Sequence, residues 1–127
     1  MIELHKPSPP EYFFKEGCYI LEWYNRDDDE AASLVRARVA AGMKTRWHRL
    51  AYTEERYVVV SGQGMAELFL DGRVQSFNLA VGDSLRIPVD VPQRITNEGP
   101  EELVFMALCS PRFKAENYYD IEDQFSK

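Results

Sequence analysis

Hydrophobic and polar residues alternate along much of this chain in short stretches, the period expected of half-buried strands. In Ser33-Leu34-Val35-Arg36-Ala37-Arg38-Val39, Val35, Ala37 and Val39 fall on one face and Arg36 and Arg38 on the other. Further strand candidates follow at Arg46 to Leu50, Arg56 to Val60, Met65 to Leu70, Arg73 to Leu79, Ser84 to Pro88, Gln93 to Thr96 and Leu103 to Leu108. Between them lie turn signals: Asp71-Gly72, Ser61-Gly62-Gln63-Gly64, Val81-Gly82-Asp83 and Asn97-Glu98-Gly99-Pro100. Many short strands at close, even spacing predict an all-β sandwich or barrel.

The flanks read differently. Pro7, Pro9 and Pro10 predict an extended N-terminal arm over residues 1–12, and the dense apolar segment from Phe13 to Tyr24 predicts a strand. The acidic run Asp27 to Glu30 lacks the central glycine of a calcium loop and reads as a solvated turn. Beyond Pro111 the alternation fades, and Lys114 to Gln124, within a tail spanning 114–127, predicts a short surface helix or strap.

A length of 127 residues, 45% hydrophobic and 28% charged, bounds this to a single folded domain, 1–127. The net charge of −6 repels phosphate backbones and argues against a nucleic-acid partner. The longest apolar runs are too short to cross a bilayer and no leader-like segment opens the chain, so no membrane partner and a cytoplasmic location are expected. Cys18 and Cys109 sit among strand-like apolar residues and read as reduced core thiols. Trp23, Trp47 and Tyr12-Phe13-Phe14 read as core or interface. His5 and His48 are the only histidines, which rules out a three-histidine metal site within one chain. No two-histidine protease helix, Cys-x-x-Cys pair or Gly-x-Ser-x-Gly elbow occurs.

The remaining turn residues fall into an order. Gly42, His48, Leu50, Glu55 and Gly62 are spaced by five, one, four and six residues, and a second series runs Gly82, Pro88, Asp90, Gln93, Asn97. The two series resemble the paired motifs of the cupin superfamily, and the resemblance covers roughly residues 33 to 110. It implies a double-stranded β-helix, or jelly-roll, barrel. In metal-binding cupins the first motif supplies two histidines and a glutamate, and the second one more histidine. Here Leu50 stands at the second histidine, Gln93 at the last, and Asp90 where glycine is usual.

By resemblance the metal ligands reduce to His48, Glu55 and Gln93, an oxygen-rich set for one divalent ion (Mn, Fe, Ni or Zn) that waters or substrate would complete. Strand alternation places Leu50 with His48, Tyr57 and Val59 with Glu55, and Ile95 with Gln93, so these residues are expected to line one pocket. His48, Glu55 and Tyr57 are the catalytic candidates: imidazole as base, carboxylate tuning it, phenol stabilising an oxyanion. Arg46, two residues before His48, is a candidate for holding a substrate carboxylate or phosphate, or else a rim arginine paired with an acid.

Three readings stand. One is a small-molecule enzyme of dioxygenase, isomerase or lyase type. Another is a metal-free module binding a sugar or small acid. The third is a structural barrel. Strand edges and the arm favour a homodimer under all three.

Overall fold

The computed structural model describes residues 1–125. Among the described residues, eleven strands form two antiparallel sheets. β1 (Ser8–Phe14), β2 (Cys18–Tyr24), β3 (Ser33–Val39), β10 (Leu103–Ser110), β5 (Glu54–Ser61) and β8 (Ser84–Ile87) lie side by side in that order. The facing sheet runs β11 (Tyr118–Asp120), β4 (His48–Leu50), β9 (Gln93–Thr96), β6 (Gly64–Leu70) and β7 (Arg73–Leu79). From β3 to β11 each successive strand crosses to the other sheet except at the β6–β7 hairpin, giving the jelly-roll architecture the turn spacing implied.

Alternation sets which side chains face inward. Along β10, Leu103, Phe105, Ala107 and Cys109 are buried, and Ala37, Val39, Tyr57, Val59, Ala66, Leu68 and Ile95 meet them from other strands. The intervening Arg36 and Arg38 lie on the outer face of β3, where both pair with Glu11 and Arg38 also pairs with Glu102.

Two expectations need correction. Residues 8–12 of the expected arm belong to β1, which pairs with β2. Pro9 and Pro10 are tolerated because β1 is an edge strand, with one side free of ladder donors, and the ladder is irregular between Ser8 and Tyr12. The expected single strand from Phe13 to Tyr24 is therefore a hairpin turning at Lys15-Glu16-Gly17. At the other end the tail takes the strap of the two expected forms: two single 3₁₀ turns, Ala115–Asn117 and Glu122–Gln124, flank β11. β11 pairs with β4, and Phe125 stacks on the buried Trp47 at 4.2 Å. The last two residues of the expected tail, 126 and 127, lie outside the described residues.

The motif turns carry the backbone conformations their residues permit. A Cβ at Gly62, where φ is +78°, would come within 2.4 Å of the Glu102 carbonyl oxygen, so the turn requires glycine. Asp90 holds φ +67° where the family usually has glycine, a conformation aspartate tolerates better than most residues, and its carboxylate accepts from Arg49 at 2.8 Å.

Candidate functional site

The polar site is assembled at the end of the barrel where β5 and β9 begin and β10 finishes. Its floor is Glu55. The Glu55 Oε1 accepts from the Gln93 amide at 3.1 Å, and the Gln93 oxygen accepts from the Tyr57 hydroxyl at 2.7 Å. With Glu55 ionised the carboxylate only accepts, which turns the NH2 of the amide to Glu55 and its oxygen to Tyr57. The other Glu55 oxygen has the Cys109 thiol at 3.9 Å.

His48 approaches from β4. Its Nδ1 donates to the Arg46 carbonyl at 2.6 Å, so Nε2 is the nitrogen left to face the interior. That nitrogen lies 3.7 Å from Oε1 of Glu16, and the ring stacks on Tyr118 with centroids 5.3 Å apart.

Glu16 had no place in the sequence-based site. It reaches the interior because it sits in the β1–β2 turn, which Gly17 closes with φ +111° and an N–H bond to Phe14. The Glu16 carbonyl accepts from the Arg46 amide at 2.7 Å, fastening the turn to the segment before His48. Its other carboxylate oxygen accepts from the Cys18 thiol at 3.3 Å. The sequence did hold the turn signal Lys15-Glu16-Gly17, submerged in an apolar run.

Burial pushes the Glu55 carboxyl up to about 7, and the negative charge of Glu16 adds to the shift against smaller opposing effects of His48, Gln93 and Tyr57. Burial likewise keeps the Tyr57 phenol and both thiols protonated, with Glu55 and Glu16 reinforcing the effect. Neither cysteine is in a disulfide.

A cavity opens beside Glu55, with about 40 Å³ free to water-sized spheres. Tyr12, Phe14, Phe105 and Phe113 supply aromatic wall, Val35 and Ala37 aliphatic wall, and Glu16, Glu22 and Glu55 its charged groups. Tyr12, Phe14, Glu22 and Phe113 also border an outer vestibule reaching Arg112 and Lys114.

This differs from the expected pocket in several ways. Glu55 and Tyr57 line the cavity as expected, while His48 and Gln93 lie buried behind its wall. Val59 and Ile95, each 1% exposed, are closed into the core towards the opposite end and line nothing. Leu50 packs with Cys109 and Tyr118 in a separate apolar cluster. Arg46 points outward to Asp120, with Nε 2.6 Å from Oδ2, because the chain before β4 is irregular and strand alternation does not extend back to it. Tyr12 and Phe14, expected in core or interface, face the cavity.

The expected metal set is not assembled as a cluster. The Gln93 oxygen already accepts from Tyr57 and its NH2, turned to Glu55, cannot ligate, so only His48 and Glu55 of this set carry a side chain of ordinary metal-ligand type. Among the described residues, no group of three or more His, Cys, Asp or Glu side chains is arranged to hold a metal ion. The residues do not fit a metal in this arrangement.

No family model matches the chain. A relative does: the uncharacterized protein MJ1618 of Methanocaldococcus jannaschii is 30% identical over 108 residues, covering 84% of this chain and 83% of that protein. The chain belongs to the MJ1618 family. For this family member, solved structures also settle the architecture. CapF from Staphylococcus aureus, a capsular polysaccharide assembling protein, superposes with a TM-score of 0.75 at 17% identity over 91% of this chain and 35% of that one. Oxalate decarboxylase from Bacillus subtilis, described with Mn(II) centres, gives 0.76 at 22% identity over 88% of this chain and 30% of that one. Both likenesses show the cupin fold, and the chain spans about a third of the length of either protein. Among the described residues, no helix is long and apolar enough to cross a membrane.

Proposed function

We propose that this MJ1618-family chain binds a small molecule in the cavity at the Glu55 end of the barrel, without a metal, and that Glu55 exchanges a proton with what is bound. One observation carries the reading: a mostly apolar cavity whose few polar groups converge on a carboxyl pushed up to about 7. A carboxyl titrating near neutrality both donates and accepts protons under working conditions, as a general acid–base step requires. The Tyr57 hydroxyl and Gln93 hold Glu55 in place instead of meeting the ligand, because their hydrogen bonds run in series towards it. His48 acts one step back, by facing Glu16. The reaction class follows from neither the fold nor its neighbours, since a shared fold does not name a chemistry.

The test is a titration of backbone amide NMR signals with a library of small fragments, in the natural sequence and in Ala107→Val, whose added methyls fill the cavity. Binders should shift amides around Glu16, Glu55, Tyr57 and Phe105 and lose affinity in the variant. Shifts elsewhere, or affinities indifferent to Ala107→Val, would overturn the assignment. Manganese, iron, nickel and zinc added one at a time should leave fragment affinity unchanged. One tight equivalent of metal, abolished in His48→Ala, would overturn the metal-free part.

A further inference from the structure

The charges of the cavity all have one sign. Glu16, Glu22 and Glu55 contribute to its lining, and no lysine or arginine does. Arg46, the residue best placed in sequence to receive a substrate anion, is bound outside to Asp120. Neighbouring basic side chains stay outside the lining. Lys15 lies over the Phe14 and Tyr118 rings at 6.0 and 5.0 Å, and Arg112 and Lys114 at the vestibule are tied to Glu30.

The rest of the wall suits the same ligand charge. Tyr12, Phe14 and Phe113 present aromatic rings beside the acids, and ring faces attract cations, more strongly where water is excluded. The Glu55 oxygen beside the Cys109 thiol, 3.9 Å away, keeps capacity for a strong donor. The Glu16 carboxylate, met by a thiol and by His48 at 3.7 Å, keeps similar capacity. An incoming anion would meet three glutamate side chains and no basic side chain in the cavity lining.

We infer that the ligand is a small organic cation, a protonated amine on a compact apolar body, held between the Glu16 and Glu55 carboxylates and the aromatic rim. This rests on the cavity being the ligand site, as proposed above. It departs from the anion-binding expectation attached to Arg46 and from the small acid among the sequence-based alternatives. The free volume of about 40 Å³ limits the body to a few carbons unless Tyr12 or Phe113 swings aside.

Three probes of one shape separate the outcomes: isobutylammonium, isobutanol and isobutyrate, titrated at pH 8 against backbone amide signals of the intact chain. The ammonium should bind about tenfold or more tightly than the alcohol, the margin of one charge-assisted hydrogen bond in a dry site. Isobutyrate should not bind. Glu16→Gln should cut the preference for the ammonium several-fold while leaving isobutanol affinity unchanged, and Glu22→Gln at the mouth should reduce it less. Alcohol or carboxylate binding as tightly as the ammonium would overturn the inference and leave the cavity reading intact. Failure of all three probes to shift the cavity amides would overturn both.

Discussion

The two ends of this barrel both bury polar side chains, yet they treat them in opposite ways. At one end Asn97 is fully buried and every polar atom of its side chain is used. Its amide donates to the carbonyls of Val39 and Glu101 at 2.9 and 2.8 Å, and its oxygen accepts from Gly99 at 3.1 Å. At the other end capacity is left over: a Glu55 oxygen 3.9 Å from the Cys109 thiol, a His48 nitrogen 3.7 Å from its acid, and a buried Tyr118 hydroxyl with no hydrogen-bond partner. Complete satisfaction at fixed geometry is what structure requires of a buried polar group. Spare capacity beside a cavity is what a ligand requires, and it costs the folded state something in the meantime.

The strongest way to break this comparison is at the satisfied end. Asn97→Ala would leave two carbonyls and an amide without their partner, and should lower unfolding free energy by about 3–5 kcal/mol in a urea titration. A loss below about 1 kcal/mol would show that water reaches this end and that the contrast is false.

At the open end the prediction is a pH dependence of unusual sign. Glu55 is raised from an ordinary carboxylate value to about 7, so between those limits the native chain holds a proton that the unfolded chain releases. This group's contribution to stability is greatest below about 4.5, falls as pH rises to about 7, and is flat above; the total is about 3 kcal/mol. Carboxylates lowered by arginine partners, such as Glu11 and Glu54, titrate below that window and act in the opposite direction. Glu55→Gln should therefore flatten urea midpoints between pH 5 and 7.5. A variant that kept the slope of the natural chain would show that Glu55 is not the titrating group.

How far the sequence foretold these ends depends on the range of the interaction. Alternation in β3, β5 and β10 was legible because it is local, and it correctly turned Glu55, Tyr57, Ala37 and Val39 inward. The motif spacing was legible because turns such as Gly62 are dictated by backbone sterics. What escaped was contact between distant segments. Glu16 joins the site only because the β1–β2 turn is bonded to Arg46, and no local pattern announces that. Inward-facing Val59 and Ile95 were assigned to the pocket because alternation reports the side a residue faces, whereas packing decides where the interior stays open. Gln93 was recognised as occupying a ligand position, but its commitment to Tyr57 and Glu55 is a three-residue property.

A smaller effect sharpens the account of Gln93. Tyr57→Phe removes the donor to a buried amide oxygen while keeping the ring that packs at 4.4 Å on Phe105. The loss should be about 1–2 kcal/mol in the urea titration. If metal uptake appears in this variant and not in the natural chain, the release of the Gln93 oxygen and of Glu55 from the Tyr57 hydroxyl is the reason.

The smallest effect is expected at Arg46, and it is informative because two arguments disagree there. Alternation from His48 turns Arg46 inward as an anion clamp, whereas the folded chain turns it outward to Asp120 across an exposed pair. Exposed pairs of this kind are screened by water and salt, so Arg46→Ala should leave the urea midpoint unchanged. It should also leave the isobutylammonium affinity unchanged, because the backbone amide that fastens the Glu16 turn is retained in alanine. The discriminating readout is isobutyrate. If the natural chain binds isobutyrate and Arg46→Ala abolishes that binding, Arg46 enters the cavity in solution, and the interior is not the purely acidic surface described here.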